Sequence, residues 1–344
     1  MADTFHIVLT ADFLGEDGRP ALWKGGLPPL EEAAERASYS YMGDYLPEIA
    51  AEQIEGADAL LCLVPKVTRE TLRGAERLKV VARWGVGFDN VDVDACTEAG
   101  VAVTITKGAV DHPVAEAIVG FMLALSHRML PKHRLVVENR WNDRTAYNGT
   151  ELREKVAGIV GLGGIGRRTL QLLSSFGMER PAAYDLYLGE AEMKAAGARK
   201  VELETLVAEA DFLIVTCPLT DETRGLIGAR ELARAKPSAF LINTARGGIV
   251  DEAALEAALK AGQIAGAALD VFEREPTDDS LPLAKLDNVV LSPHSIAWTE
   301  ELFRDVGRMA CGSILDLAEG RKPHGLLNPE VWDTPAFRRK LQLD

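Results

Sequence analysis

The sequence predicts an α/β protein made of two doubly wound domains with parallel sheets. Three observations carry this. Short β-rich runs alternate with helical patterns through the first hundred residues, and a second alternating series begins near residue 155. Strands alternating with helices imply βαβ units and parallel pairing. A glycine cluster, Gly161-Leu-Gly163-Gly164-Ile165-Gly166, joins the first strand-like run of the second series to a helical pattern. Finally, 344 residues exceed one typical domain of roughly 100–200 residues.

In the first series the candidate strands are 6–10, 59–63, 79–83 and 101–106. Helix-like stretches lie near 47–54, 68–78 and 91–99, and residues 12–29, rich in Gly and Pro, read as a long loop. A helix-like run over about 113–129 places Ala117, Phe121, Ala124 and Leu125 at helical spacing. Residues 140–150 are polar and irregular and read as a surface connection or a subunit contact.

The second series opens with the apolar run 155–160 and the glycine cluster. The helix after it carries Ile165, Thr169, Leu172, Leu173 and Phe176 on one face. A short strand at 182–185 ends in an acid, and 211–216, 240–244, 267–271 and 289–292 are further buried-strand candidates. Helical patterns at 203–208, 229–235 and 252–260 separate them, a six-strand alternation that fits a dinucleotide fold. After Trp298 come a helix-like stretch to about Leu317 and a polar tail with no strands to close another domain. The tail is expected to pack back on the first domain. The domains are then 1–107 plus 299–344, discontinuous, and 108–298.

Apolar residues make up 47% and charged residues 26%, ordinary for a soluble globular protein. The net charge of −14 argues against a nucleic-acid partner. It leaves room for a small anionic substrate, because one arginine can dominate a pocket. Cys62, Cys96, Cys217 and Cys311 are far apart and form no CxxC pair, so neither a metal site nor a disulfide framework is expected. The start has no basic or long apolar leader segment, and no run approaches the ~18 apolar residues of a membrane span. A cytoplasmic protein without membrane attachment is expected.

Gly161, Gly163 and Gly166 form a GxGxxG between a strand and a helix. In that setting the first glycine permits the turn, the second lets the backbone approach a pyrophosphate, and the third lets helix and strand pack closely. Exposed N–H groups at the helix start, here those of Gly164 and Ile165, favour the phosphate charge. Asp185 follows Gly161 by 24 positions, near the ~20 expected for an acid on the ribose hydroxyls. Its carboxylate repels a 2′-phosphate and no arginine is adjacent, so NAD is favoured over NADP.

Three further motifs end predicted strands of this series, where α/β sheets place ligands. They are Asn243-Thr244-Ala245-Arg246-Gly-Gly-Ile-Val-Asp251-Glu252, Gly266-Ala-Ala-Leu-Asp270-Val-Phe-Glu-Arg-Glu275-Pro, and Ser292-Pro-His294-Ser. With Val114-Ala-Glu116, Pro218-Leu-Thr220 and Gly85-Val86-Gly87-Phe-Asp-Asn90-Val-Asp92, they make the chain resemble the D-isomer-specific 2-hydroxyacid dehydrogenases over nearly its whole length. That family includes phosphoglycerate dehydrogenases and hydroxypyruvate and glyoxylate reductases.

The resemblance implies two Rossmann-like domains, a flavodoxin-like substrate domain and a dinucleotide-binding domain, with substrate in the cleft and domain closure excluding water. It implies an NAD-dependent enzyme moving a hydride to or from C2 of a small 2-hydroxy or 2-oxo acid. Arg246 would bind the substrate carboxylate and polarise the C2 oxygen, its planar fork suiting a carboxylate. His294 would be the acid–base, with Glu275 orienting it and stabilising imidazolium. Asp270 would hold the nicotinamide carboxamide, and Pro218, Thr223, Thr244 and Ala245 would line the cofactor. Backbone N–H groups of Gly85, Val86 and Gly87 would hold the substrate carboxylate. A Glu at 275, where the formate-oxidising branch usually has Gln, favours acid–base chemistry on a hydroxy acid. His112, which also precedes a proline, is the alternative proton donor.

The chain departs from common family patterns at Ser295-Ile-Ala-Trp298, where Trp298 either narrows the pocket or fills the cleft, and at Arg83-Trp84 before the substrate loop. Lys66 lies near where phosphoglycerate enzymes place basic residues and is a candidate for a distal phosphate or carboxylate; the alternative is a solvated lysine. Trp141 is a candidate to reach a neighbouring subunit's pocket, as in some hydroxypyruvate reductases, or to be a dimer-core or surface aromatic. The helix over 113–129 resembles the family's dimer element, so a homodimer is expected. Two other readings remain open: a phosphite dehydrogenase-like enzyme, and a non-catalytic NADH-sensing module of the corepressor type. The second usually carries long disordered tails, and none is visible here.

Overall fold

The computed structural model describes residues 4–15, 17–20 and 27–341. Contacts divide the chain into two compact units, Met1–Val110 with Trp298–Asp344, and Asp111–Ala297.

The first unit opens with β1 (Phe5–Leu9), α1 (Pro28–Glu32), β2 (Ala37–Tyr41), β3 (Ala59–Cys62), β4 (Val80–Arg83), α2 (Val93–Glu98) and β5 (Ala102–Thr104). The strands form one parallel sheet in the order β2-β1-β3-β4-β5, the flavodoxin-like order. All residues of β3 are buried, as expected for a parallel sheet covered on both faces. Two apolar clusters provide that cover, one around Leu9, Leu61 and Ile314, the other around Leu60, Leu78 and Val81.

Three sequence expectations for this unit are corrected. The strand β2 was not foreseen, because its Ala-Ser-Tyr-Ser-Tyr run is half polar; as an edge strand it buries Ala37 and points Ser38 and Ser40 at His6. The helix-like stretches at 47–54 and 68–78 fold only as 3₁₀ turns, Ala51–Ile54 and Thr71–Gly74. The buried Thr71 hydroxyl donates to the Ile49 carbonyl (2.6 Å) and accepts from the Thr68 N–H (3.0 Å), and such side-chain bonds compete with a regular helix. The loop expected over 12–29 contains a 3₁₀ turn at Ala11–Phe13 and gives way to α1 at Pro28; its residues 16 and 21–26 lie outside the described residues.

The Asp58 carboxylate, at the amino end of β3, is 2% exposed in its side chain. It accepts from Lys79 Nζ (2.8 Å), Arg77 Nη2 (3.0 Å) and the His6 N–H (2.9 Å). Burial pushes its carboxyl up, but the two cations and the N–H outweigh this and hold it below its ordinary value. Its stabilisation is therefore present above the unfolded value near about 3.9 and is lost as pH falls through the depressed folded value. Asp58→Asn is expected to cost about 1–3 kcal/mol at neutral pH. In thermal melts, the gap from the parent protein should narrow below about pH 4. A gap that is constant with pH would contradict this role.

The second unit contains α3 (Asp111–Ser126), α4 (Met129–Val137), β6 (Ala157–Val160), α5 (Gly164–Leu173), β7 (Ala182–Tyr184), α6 (Glu190–Ala195), β8 (Arg199–Lys200), α7 (Leu203–Glu209), β9 (Phe212–Val215), α8 (Ala229–Leu232), β10 (Phe240–Asn243), α9 (Glu252–Lys260), β11 (Gly266–Leu269) and β12 (Val289–Leu291). Its parallel sheet runs β12-β11-β10-β9-β6-β7-β8, the dinucleotide-fold order extended by one strand. Seven strands replace the six expected, because the two-residue β8 pairs at the edge with β7; its Arg and Lys carry no apolar signal and suit an exposed edge. The helices α4 and α6 were likewise not foreseen. The single run at 113–129 is split by Arg128, whose left-handed backbone (φ 54°) ends α3 and starts α4. The residues of α3 buried in its own unit are Ala115, Ile118, Phe121, Met122, Leu125 and Ser126; of the spacing read in the sequence, Phe121 and Leu125 are among them, while Ala117 and Ala124 are half-buried. The irregular segment at 140–150 contains an exposed 3₁₀ turn, Trp141–Tyr147.

The chain then returns to the first unit with α10 (Glu300–Ala318) and α11 (Pro335–Leu341). Asn328, 1% exposed, accepts from the Val103 N–H and donates to the Val101 carbonyl beside β5. Lys340 donates to the carbonyls of Ala75, Leu78 and Ala99. No single described helix is long and apolar enough to cross a membrane; α3 and α4 together reach the length but are bent by 60°.

Candidate active site

The strand order of the second sheet reverses between β6 and β9, which are parallel neighbours, so their carboxyl ends lie side by side. The glycine cluster leaves β6 at that point and enters α5. Gly161 has φ +91°, a left-handed turn in which a side chain would also collide with Cys217. Gly166 packs α5 so close to the strand that a Cβ would lie 2.7 Å from the Gly161 carbonyl oxygen. Above Gly163 nothing lies within 4 Å of a Cβ position, so this face of the turn is open.

Asp185 stands directly after β7. Its Oδ2 accepts from the Leu162 N–H (2.9 Å), and its Oδ1 from the N–H groups of Tyr187 (2.9 Å) and Leu188 (3.2 Å). One carboxylate thus ties the glycine turn to the end of the neighbouring strand. Thr223 is folded into its own turn, donating to the Pro218 carbonyl and accepting from the Thr220 N–H (2.7 Å each). The buried Thr244 hydroxyl has no hydrogen-bond partner among the described residues. An open glycine turn at a helix start, an acid at the next strand end and an unsatisfied buried hydroxyl fit the pyrophosphate and sugar groups of a dinucleotide.

Arg246, Asp270, Glu275 and His294 leave the ends of β10, β11 and β12 in this same unit. Asn243, 2% exposed, clamps the turn before Arg246: its Oδ1 accepts from the Ala245 N–H, and its Nδ2 donates to the Arg246 carbonyl (3.0 Å each). The Arg246 guanidinium donates to the Ala245 carbonyl (2.7 Å). At Gly247 the turn meets the next loop so closely that a Cβ would lie 2.6 Å from the Glu273 nitrogen. That contact brings Arg246 beside the segment bearing Glu275, whose own peptide to Pro276 is cis.

Glu275 uses both carboxylate oxygens. Oε1 accepts from the Phe272 N–H (2.9 Å), and Oε2 lies 2.7 Å from His294 Nδ1. Burial pushes this carboxyl up, but the His294 bond, the Phe272 N–H and the nearby Arg246 charge outweigh it and hold it below its ordinary value. An ionised carboxylate only accepts, so Nδ1 carries a proton and Nε2 is the nitrogen left for chemistry.

His294 has a left-handed backbone (φ 53°), a conformation that costs about 1–2 kcal/mol for a non-glycine residue. Asp270, 5% exposed, supports that turn by accepting from the N–H groups of Ser295 (2.9 Å) and Ile296 (3.1 Å). Burial pushes the Asp270 carboxyl up, against those bonds. Sequence reading gave neither Asn243 nor Asp270 this supporting task; a polar residue closing a run of buried apolar ones was the available signal.

His112, the alternative donor, accepts from Arg168 Nε at Nδ1 (3.0 Å) and has Glu116 3.4 Å from Nε2, on the α3–α5 surface. Gly85, Val86, Gly87 and Lys66 belong to the first unit. There Asn90 Nδ2 donates to the carbonyls of Leu63, Val64 and Pro65, tying the loop after β3 to the loop after β4. Lys66 is exposed, with its backbone paired to residues 47–49. Trp84 is buried edge-on against Phe13 (5.2 Å), which makes it a core residue of that unit. Trp298 is 46% exposed and packs edge-on against Phe303 (5.6 Å).

Residues 119–295 match the family described as D-isomer specific 2-hydroxyacid dehydrogenase, NAD binding domain. The chain is 40% identical over 283 residues to a glyoxylate reductase of Thermofilum pendens, covering 81% of this chain and 83% of that one. It is 44% identical over 293 residues to a D-3-phosphoglycerate dehydrogenase of Mycobacterium bovis, covering 83% of this chain and 55% of that one. The chain spans about half the length of the phosphoglycerate dehydrogenases it matches. Among solved structures, a glyoxylate reductase from Paecilomyes thermophila superposes with a TM-score of 0.82 at 26% identity, covering 96% of this chain and 99% of that one. The strand order, the glycine turn at the sheet's reversal and these matches agree: the chain belongs to the D-isomer-specific 2-hydroxyacid dehydrogenase family, with its NAD-binding domain in the second unit.

Proposed function

We propose that this protein is an NAD-dependent dehydrogenase of small D-2-hydroxy acids in which Arg246 binds the substrate carboxylate and the His294–Glu275 pair carries the proton. The carrying observation is the 2.7 Å contact between His294 Nδ1 and Glu275 Oε2, with Arg246 near enough to influence the same carboxylate. Gly161, Gly163, Gly164, Ile165 and Gly166 hold the pyrophosphate, Asp185 the adenosine ribose, and Pro218, Thr223, Thr244, Ala245 and Asp270 line the rest of the cofactor. Bound NADH supplies the hydride to C2 of the oxo acid. His294 Nε2 donates its proton to the C2 oxygen as charge develops there, and takes it back in the oxidative direction. Glu275 stabilises imidazolium before transfer and fixes the ring afterwards. Arg246 holds the carboxylate and polarises the C2 oxygen. The N–H groups of Gly85, Val86 and Gly87, and Lys66 for a charged distal group, complete substrate binding.

Glyoxylate reductases are among the relatives matched over most of their own length, which makes glyoxylate the first substrate to test. NADH oxidation would be followed at 340 nm with glyoxylate, hydroxypyruvate, pyruvate, phosphohydroxypyruvate and branched 2-oxo acids. Turnover of at least one is expected. NADH binding without turnover of any would favour the NADH-sensing module, and reduction of NAD+ by phosphite in a separate assay, with no 2-oxo acid reduced, the phosphite dehydrogenase.

We also propose a cytoplasmic homodimer that binds neither nucleic acid nor membrane, the first in keeping with the net charge of −14. Beyond α3 an exposed apolar stripe runs through Met129, Leu130, Val136 and Val137 to Trp141, with Val137 66% and Trp141 64% exposed. Clustered apolar exposure of this kind marks contact surfaces. Sedimentation velocity is expected to give a dimer for the parent protein and a monomer for Val137→Glu. A monomeric parent protein would exclude the proposal.

A further inference from the structure

The loop after β4 presents N–H groups and ties down carbonyls. The N–H groups of Gly85, Val86 and Gly87 make no hydrogen bond among the described residues. The Gly85 carbonyl accepts from the Thr106 N–H (2.9 Å), and the Phe88 carbonyl from the Val91 N–H (2.9 Å). Gly85 has φ +129°, a backbone conformation open to glycine. The far end of the loop is fixed by Asn90. Its main-chain carbonyl accepts from the Val67 N–H (2.8 Å). Its half-buried side chain reaches three successive carbonyls, Nδ2 lying 3.3 Å from those of Leu63 and Val64 and 3.0 Å from that of Pro65. An amide has two N–H donors, so the three acceptors share them. The segment that receives these bonds is itself anchored: the Leu63 N–H donates to Thr10 Oγ1 (3.3 Å), and the Val64 N–H to Asp12 Oδ2 (2.8 Å). One amide therefore joins the loop after β4 to the carboxyl ends of β3 and β1.

We propose that Asn90 is the positioning residue of the substrate-carboxylate site, holding the unpaired N–H groups of Gly85, Val86 and Gly87 at the aim a carboxylate requires. This deepens the reading of that loop given above and rests on it. No atom of Asn90 has to touch the substrate. Without the Nδ2 bonds the loop stays attached through Thr106 at one end and Val67 at the other, but its middle gains freedom. Ordering it again then costs binding energy. The cost falls on every 2-oxo acid alike, since all share the carboxylate. It falls on binding, because hydride and proton transfer are assigned to groups elsewhere.

The test is steady-state kinetics of the full chain at saturating NADH, comparing the parent protein with Asn90→Asp and Asn90→Ala. The first keeps the shape of the side chain and loses its donors; the second removes the side chain beyond Cβ. In both, KM for the accepted 2-oxo acid is expected to rise about tenfold to hundredfold, the scale of loss from misplacing a binding group by about 1 Å. The maximal rate kcat should change little, and NADH binding by fluorescence titration should be unaltered. Oxamate, an unreactive 2-oxo acid analogue with the same carboxylate, should lose affinity for the NADH-loaded variants by the same factor. A merely structural role reads differently: a smaller folded fraction lowers the apparent kcat and leaves KM and oxamate affinity in place. Unchanged KM in both variants would overturn the proposal, as would a fall in kcat at constant KM. A parent protein that reduces no 2-oxo acid would remove the substrate reading and this inference with it, whereas an active parent with unaffected variants would remove this inference alone.

Discussion

Replacing His294 by Asn is expected to lower kcat for reduction of the accepted 2-oxo acid by about 10²–10⁴-fold, the usual contribution of a positioned general acid. NADH binding, measured by fluorescence titration, should persist, since His294 lies beyond the glycine turn and Asp185. Glu275→Gln gives the diagnostic companion. The glutamine can still accept from Nδ1, so the ring orientation survives while the negative charge goes. The imidazolium then loses its counter-charge, and the alkaline limb of the pH profile for reduction should move to lower pH. The sign follows from the geometry: Glu275 is held below its ordinary value and is ionised throughout the working range. A Glu275→Gln enzyme with an unmoved profile would mean that the carboxylate orients the ring and does nothing more. A fully active His294→Asn enzyme would remove the acid–base assignment altogether and return attention to His112.

The second large effect is expected at Arg246. Arg246→Ala removes the cation at the end of β10, and kcat/KM for the 2-oxo acid should fall by about 10²–10³-fold, comparable to losing one donor to a developing oxyanion. Part of the loss should appear as a raised KM, because the carboxylate is bound in the ground state as well as in the transition state. Arg246→Lys keeps the charge but not the planar fork, and should recover only part of the activity. The Asn243 clamp holds the turn from the backbone, so neither substitution should disturb it, and melting temperatures should remain close to the parent protein. An undiminished kcat/KM in Arg246→Ala would sink the carboxylate role.

The two predictions differ in what each residue needs from the fold. Arg246 needs one turn, fixed by the close approach at Gly247 and by Asn243. His294 needs three segments at once: its own left-handed turn, Asp270 from the end of β11 to support that turn, and Glu275 from the following loop to select the tautomer. Sequence motifs name these residues in order along the chain, but the supporting bonds run between positions 19 to 26 apart and have no periodic signal.

Much of the architecture was legible in the sequence, for a local reason. Strands such as Phe212–Val215 and Phe240–Asn243 are buried on both faces, so they read as short continuous apolar runs, and the helices between them keep a 3.6-residue period. The glycine turn was legible because each glycine answers to a backbone requirement of a strand entering a helix. Elements without strong patterns were missed: the half-polar edge strand β2, the charged edge β8 and the short helices α1, α4 and α6. Their positions are set by neighbours, since an edge strand exists only against the strand it pairs with. The same holds for the 3₁₀ turns at Ala51–Ile54 and Thr71–Gly74, where a threonine hydroxyl bonded across 22 residues replaces the expected helices.

By itself, then, the sequence determined the fold class, the parallel sheets, the glycine turn and the order of the chemical residues, because all of these depend on contacts within a few residues or on simple periodicity. Tertiary structure alone decided the strand order that sets β6 beside β9, the burial of Asp58 between two cations and the tautomer of His294. Each of these depends on groups distant in sequence meeting within hydrogen-bond or van der Waals reach, and only the folded chain brings them there.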